Sequence, residues 1–294
     1  MLAYKGFNKN MTCLNGFQYK EGETYTTNMA VIGVTGFHAC LSLVDCFKHY
    51  PPDISVYHVV EIEGVTGSTI DDSTVVGKKI TIKEEIPIQE LGAVCVQSAL
   101  REQMEDNAHG TIISTKSNKR TIATDSYARI ISSGNNAELT ATRYKTRVVS
   151  SGDSAEINLV QSSATAISTG KYAHIRSNGR CNQVFSFGNA ATIESLGFND
   201  KIIANGDRAS VRSCGAAARI HVHGKESKIM CFGHDPIVAG EIGTKITMIA
   251  KWDEIDKNLP TEMVTFVIDG EKYKPDEYYT VRIGEIAVAY GEIF

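Results

Sequence analysis

Apolar and polar residues alternate in a nine-residue pattern through the middle of the chain, from Gly110 to about Thr244. In each repeat the first position is mostly Ala, the third is Ile, Val, Leu or Ala, the fifth is mostly Ser or Ala, and the seventh is usually Gly. Alternate residues of a strand share one face, so these odd positions predict a thin interior and outward-facing second and fourth positions. A helix does not fit, because a glycine in every repeat would cost about 1 kcal/mol each time.

The fourth position indicates that two repeats form one coil. Every second repeat is apolar there, whereas the intervening repeats are mostly polar. The apolar set, here called the apolar ladder, is Ile113, Ile131, Val149, Ile167, Phe185 and Ile203. The pattern predicts coils of 18 residues, with one strand on each of two facing parallel sheets. We expect the seventh-position glycine to provide the positive φ or tight bend of a corner.

The segments before the repeats predict two smaller parts. Residues 1–86 indicate an α+β domain with a strand at Val56–Ile62 and a short helix around Leu41–His49. Residues 87–109 contain an amphipathic helix, over 87–105, directly before the first coil. Because the end of a solenoid exposes unpaired backbone, we expect this helix to cap it.

The repeats occupy residues 110–244 and dissolve after them. Residues 245–294 predict a C-terminal β cap, a hairpin in which Met263–Ile268 and Tyr279–Ile283 pair across an Asp-Gly turn. The predicted fold class is therefore mainly β: a two-sheet parallel β-solenoid with a small α+β N-terminal domain and a C-terminal β-hairpin cap.

The apolar ladder predicts an interface. Six apolar side chains in line on an outer face would expose a few hundred Å², about the largest patch that a soluble monomer leaves open. We expect a second copy of the chain to cover this flat face, which would form a homodimer. The alternatives are the N-terminal domain or the C-terminal hairpin of the same chain, or a foreign partner.

Charge, hydropathy and cysteine pattern restrict the kinds of partner that the protein can have and the compartment in which it is expected. The formal net charge is −4 and no long run of one sign occurs, so nucleic acid is an unlikely partner. No apolar stretch approaches the roughly 20 residues that span a bilayer, and the N-terminus lacks a signal-peptide pattern. The seven cysteines are scattered and never form C-x-x-C. They indicate free thiols in a reducing cytosol, and hence a cytoplasmic protein.

Metal and catalytic patterns are weak. The repeat lacks the glycine pair and the aspartate of a calcium β-roll, and the histidines near Cys231 are predicted to point away from it. Cys40 and His38 could form a nucleophile and a base, but no third group that would orient them is identifiable. The prediction is therefore no catalytic residue, no metal and no cofactor.

Several stretches resemble a family of bacteriophage and prophage proteins. They are AYKGFNKNMTC, GFQYKEGETY, GFHAC, DCFKHYPP and DDSTV in the first 85 residues, and VIDGEKYKPDEYYTV at 267–281. The family has no established activity. The resemblance implies a phage or prophage origin and a protein that acts in the cytosol of the bacterial host.

A second resemblance is to ADP-ribosyltransferase-type domains. Such domains have a strand like "YRG", a Gly-aromatic turn and then a strand that ends in acidic residues, and this chain has Tyr4-Lys5-Gly6, Gly36-Phe37-His38 and Val59–Glu63 in that order. Lys5 stands where one class has an arginine that grips the dinucleotide. The resemblance implies a ligand pocket formed by Tyr4, Lys5, His38, Glu61 and Glu63.

The sequence thus favours a non-enzymatic, phage-encoded binding protein. Its partner would be a host protein or a nucleotide-type ligand, as for an inhibitor or sequestering factor that acts against a host defence component. An ADP-ribosyltransferase-like enzyme and a structural virion protein are the alternatives.

Overall fold

A computed structural model of the chain describes residues 1–50, 52, 54–69, 73–88, 90–104, 111–253, 255–256, 259–275 and 277–289. The predicted first residue of the repeats, Gly110, and the predicted helix end at Glu105 lie outside these ranges. The chain divides into two compact units, Met1–Ala108 and His109–Phe294. None of the described helices is long and apolar enough to cross a membrane.

The first unit is an antiparallel sheet with two helices, as the α+β prediction required. The described strands follow the order β2-β7-β4-β1-β3-β6-β5. The elements are β1 Leu2–Asn8, β2 Thr24–Thr26, β3 Phe37–Cys40, α1 Leu43–Cys46, β4 Ser55–Glu63, β5 Gly67–Ser68, β6 Thr74–Gly77, β7 Lys79–Glu85 and α2 Leu91–Met104.

Three sequence predictions fall in this unit. The strand predicted at Val56–Ile62 is β4, and the helix predicted over 87–105 is α2. The predicted helix around Leu41–His49 is the single turn α1. The helix α2 belongs to the first unit, and its role as a cap stays a prediction.

The second unit consists of short parallel strands followed by antiparallel ones. The parallel strands are β8 Thr111–Ser114, β9 Arg120–Ala123, β10 Arg129–Ser132, β11 Glu138–Ala141, β12 Arg147–Ser150, β13 Glu156–Leu159, β14 Thr165–Ser168, β15 His174–Ser177, β16 Gln183–Ser186, β17 Thr192–Ser195, β18 Lys201–Ala204, β19 Ser210–Ser213, β20 Arg219–Val222, β21 Lys228–Cys231, β22 Ile237–Gly240 and β23 Lys245–Trp252. The antiparallel strands are β24 Pro260–Val267, β25 Tyr279–Arg282 and β26 Glu285–Val288.

The 18-residue coil is confirmed by the strand register. Even-numbered strands from β8 to β22 form one parallel sheet and odd-numbered strands from β9 to β23 form the other. Ile130 pairs with Val148, and Glu138 pairs with Glu156. The last coil is one residue shorter, since Lys245 pairs with Lys228.

The interior is as thin as the odd positions predict. Third-position side chains from the two sheets, such as Ile130 and Leu139, are fully buried, and so are fifth-position residues such as Ser132. The first-position residue Ala128 is 3% exposed. Small–large–small layers therefore fill the space between the sheets from one coil to the next.

The seventh-position glycine lies at a bend, as at Gly134, but the positive φ predicted for it is wrong. Positive φ falls instead at the ninth position, which carries side chains such as those of Lys145, Tyr172 and Glu226, with φ of 55–59°. Glycine is required for space: a Cβ on Gly188 would lie 1.9 Å from the carbonyl oxygen of Gly170, one coil away. The corner backbone is stabilised between coils, since the N–H of Tyr172 bonds to the carbonyl of Asn189 at 2.9 Å.

The apolar ladder is covered by residues of the same chain, which is one of the alternatives that the sequence left open. The ladder lies on the outer face of its strands, outside the cluster of residues that forms the solenoid core. Ile113 is partly exposed, but the single chain buries the remaining members to 3% exposure or less: Ile131, Val149, Ile167, Phe185 and Ile203. The bare apolar area that motivated a homodimer contact is therefore not present.

The C-terminal segment contains hairpins, but the predicted partners differ. The strand β24 pairs with β23, with Met263 opposite Ile249. The strand β25 pairs with β26 and also contacts the parallel sheet, with Tyr279 opposite Val238. Each parallel sheet thus ends in antiparallel strands, which cover the edge of its last coil.

One carboxylate lies inside the solenoid. Asp200 occupies a first position and is fully buried. It accepts hydrogen bonds from the hydroxyls of Ser177 at 2.6 Å and Ser195 at 2.8 Å, and from the backbone N–H of Asn182 at 2.9 Å. Burial outweighs these bonds and raises the pKa of Asp200.

We expect Gly188→Ala to destabilise the solenoid by about 1–3 kcal/mol or more, as overpacking does, because the new methyl group would overlap the carbonyl of Gly170. Gln161→Ala is the matched control, since it creates the same residue at the same repeat position in a coil that already accepts a side chain. Chemical denaturation followed by circular dichroism measures both variants. Equal stability of the two would refute the packing role of this glycine column.

The buried carboxyl predicts a pH dependence of stability. Because the folded-state pKa of Asp200 is raised, its carboxyl favours the folded state least when ionised, and stability falls as pH rises from about 4 through the folded-state pKa. Asp200→Asn removes this contribution. The difference in unfolding free energy, variant minus wild type, should therefore increase from pH 4 to pH 7. A constant difference over this range would contradict the assignment.

Candidate functional site

The first unit contains a cavity of about 1000 Å³ between β1 and β3. The two strands pair at Tyr4 and Cys40, the one register pair between them in the described part of the sheet, and beyond it they separate. The loops that follow β1 and precede β3 complete the wall. The cavity thus lies where the sheet is split. Its size suits a small molecule, because such sites occupy about 300–1,000 Å³.

Lys5 places its ammonium group in this split. The residue is 7% exposed, and Nζ donates a hydrogen bond to the carbonyl oxygen of His38 at 2.8 Å. The same Nζ lies 5.6 Å from the ring centroids of Phe7 and Tyr19, which is close enough for cation–π attraction. Within the described ranges no carboxylate pairs with Lys5. Two of the three ammonium protons therefore remain for another acceptor.

His38 is held as a neutral imidazole. The backbone N–H of Gly33 donates to Nε2 at 2.9 Å. Burial lowers the pKa of His38, and the nearby Lys5 lowers it further, against a hydrogen bond with the backbone of Gly36. Since Nε2 already accepts a hydrogen bond from Gly33, the imidazole is not available as a base for Cys40 on the same strand.

Cys46 on the cavity wall is a protonated thiol. Burial raises the pKa of Cys46 well above its ordinary value, and a hydrogen bond with Cys40 raises it further. Its sulfur lies 3.5 Å from the carbonyl oxygen of Tyr4, to which it donates. Because the thiolate is the reactive form of cysteine, Cys46 is placed to support the wall rather than to attack a ligand.

Two tyrosines tie the loop after β1 to the sheet. Burial raises the pKa of both Tyr19 and Tyr50, and each hydroxyl is hydrogen-bonded to Cys13. The Tyr50 hydroxyl also accepts from the backbone N–H of Leu14 at 3.2 Å. Gly6 is needed for this packing, because a Cβ there would lie 2.6 Å from the Cβ of Tyr50. These contacts keep one side of the cavity in place.

The structure brings three of the five predicted pocket residues together. Tyr4, Lys5 and His38 all line the cavity. The Tyr4 hydroxyl accepts a hydrogen bond from Arg101 Nη2 at 2.8 Å, and the guanidinium carbon lies 5.4 Å from the Tyr4 ring centroid. Tyr4 is thus fixed from α2, while Lys5 and His38 bridge the split.

The placement of Glu61 and Glu63 in this pocket is wrong. Neither residue lines the cavity. Both lie on β4 with exposed side chains that pair with lysines of β7: Glu61 with Lys83 at 3.3 Å and Glu63 with Lys79 at 2.7 Å. They are solvated cross-strand ion pairs, and an acidic group for transferase chemistry does not come from them.

Sequence reasoning missed an aromatic wall. Phe17, Tyr19, Tyr25 and Phe37 line the cavity and form one cluster, with ring centroids 4.7 Å apart for Phe17 and Tyr19 and 5.0 Å for Tyr19 and Tyr25. The recurrence of aromatics in GFQYKEGETY was the available signal.

The charge of the described wall is positive. Lys5 contributes this charge, since His38 is neutral and no Asp or Glu stands among the described lining residues. A wall of this composition attracts anions and repels cations.

The histidines of the solenoid do not form a metal site. The rings of His221 and His223 lie 3.8 Å apart, and His234 stacks on Trp252 at 3.9 Å, whereas Cys231 is in the core. Across the described residues, no group of three potential ligands is arranged to hold a metal ion.

Comparison with known proteins finds one domain. Residues 1–93, which include the whole cavity, match the domain of unknown function DUF7666. No curated protein and no solved structure matches the chain.

Proposed function

We propose that this chain is a non-enzymatic binding protein whose N-terminal domain holds a small anionic ligand in the β1–β3 cavity. The observation that carries the proposal is that Lys5 is buried, at 7% exposure for the residue, and that its ammonium group has no carboxylate partner in the described chain. A buried charge is costly unless it is paired. An anion in the cavity would supply the missing counter-charge and accept the two remaining ammonium protons.

Binding without chemistry is the better supported class. A transferase of the type that the sequence suggested needs an acidic residue near the ligand, but Glu61 and Glu63 pair with lysines away from the cavity. His38 has its Nε2 occupied by Gly33, and the thiol of Cys46 is protonated. The proposal therefore contains no catalytic step.

The biological setting of the proposal rests on the phage-family resemblance. A phage-encoded binding protein in the host cytosol would act by sequestering a ligand or by occupying a host protein. Affinity purification from the bacterial host, followed by mass spectrometry, separates the possibilities. A discrete host protein supports an inhibitor, and recovery of virion proteins would support a structural role instead.

Lys5→Met should reduce affinity for anions roughly tenfold to 100-fold, since a hydrogen bond to a charged group contributes about 1.5–3 kcal/mol. Isothermal titration with pyrophosphate, AMP and laurate measures the loss. Lys9→Met is the matched control, because it removes the same charge from an exposed position. If no anion of this set binds the wild type, or if both variants bind as it does, the proposed function is wrong.

A further inference from the structure

We infer that the ligand carries a flat aromatic ring beside its anionic group, as a nucleotide does, and that the ring packs on the aromatic wall while the anion reaches Lys5. The inference rests on the proposed function and names the class of ligand.

The rings of the aromatic wall meet edge to face. The interplanar angle is 60° between Phe17 and Tyr19, 82° between Phe17 and Tyr25, 71° between Tyr19 and Tyr25, and 74° between Tyr19 and Phe37. An edge-to-face contact covers a face of only one of the two rings, and the outermost ring, Phe17, is 44% exposed. Such a wall leaves a π-face for a flat group to pack against.

Exposure increases along this wall toward the opening. Tyr19 and Phe37 are buried, Tyr25 is half-buried and Phe17 is 44% exposed. Leu14 also lines the cavity and is 71% exposed. The inner rings are therefore part of the domain core, whereas the outer rings offer surface that the domain itself does not use.

The cation and the rings belong to one continuous surface. Tyr19 connects them, because its ring contacts those of Phe17 and Tyr25 and its centroid lies 5.6 Å from Lys5 Nζ. A ligand with a ring and a phosphate a few bonds apart would meet both features at once. Inorganic anions would leave the aromatic wall in water.

Polar side chains on the same wall favour a nucleotide over an anionic lipid. Thr26, Thr35 and Asn15 line the cavity together with the rings, and since Asn15 Oδ1 accepts from the backbone N–H of Phe17 at 3.2 Å, the amide NH2 group is the part that remains for a ligand. Sugar hydroxyls and ring edges can hydrogen-bond to such groups. An acyl chain would bury them without a partner, which is unfavourable.

Titration of the full chain with AMP, GMP, CMP, UMP and NAD, each against ribose 5-phosphate, tests the inference. We expect at least one nucleotide to bind roughly tenfold or more tightly than ribose 5-phosphate, because stacking of a base on an aromatic side chain is of that size. Phe17→Leu keeps an apolar side chain and removes the ring. It should therefore lower the affinity for that nucleotide severalfold and leave the affinity for ribose 5-phosphate unchanged. Phe198→Leu, at a 52% exposed position of the solenoid, is the control.

The outcomes separate this inference from the proposed function. If ribose 5-phosphate or laurate binds as tightly as every nucleotide and depends on Lys5, an anion site exists but the ring does not contribute, and the inference alone is overturned. If nucleotides bind and neither Phe17→Leu nor Lys5→Met weakens them, the cavity is not where they bind, and both are overturned.

Discussion

Each residue of the solenoid has to fit over the residue one coil away, and the second unit depends on this stacking constraint. Ile130 lies against Val148, and Gly188 lies so close to Gly170 that no Cβ fits between them. Even the corners obey it, since the N–H of Tyr172 bonds to a carbonyl of the next coil in spite of a left-handed backbone. The left-handed conformation costs about 1 kcal/mol for a residue with a side chain. The hydrogen bond, repeated at the ninth positions from Asn118 to Ala217, offsets this cost.

The same constraint explains which parts of the fold could be predicted from the sequence. Stacking repeats the same environment every 18 residues, so the pattern of side-chain types indicates the length of a coil and which residues face the interior. The pattern does not indicate why a residue is small. Glycine recurs at the seventh position for space, while the left-handed ninth position accepts Lys145 or Glu226 and leaves no compositional trace.

Features that depend on contacts outside the repeat were not predictable in this way. Alternation places Ile131 and Phe185 on an outer face, yet only the folded chain determines that this face is buried. The pairing of Tyr279 with Val238 has the same non-local origin. In the first unit, the order of motifs correctly predicted that Tyr4, Lys5 and His38 lie together, but not the position of Glu61. Neighbouring strands need not contribute to the same site: Glu61 lies opposite Leu2 of β1, yet its side chain pairs with Lys83 of β7.

The contrast between the two units indicates where a ligand site can form. In a parallel solenoid the backbone is hydrogen-bonded from coil to coil and side chains fill the interior, so there is little space for a ligand. In the first unit, β1 and β3 part after Tyr4 and Cys40, and the His38 carbonyl accepts a hydrogen bond from the Lys5 ammonium group. The split therefore creates a cavity and places a buried cation in it. A regular stack of strands and an open cavity make opposite demands on backbone pairing, which accounts for their separation into two different units of this chain.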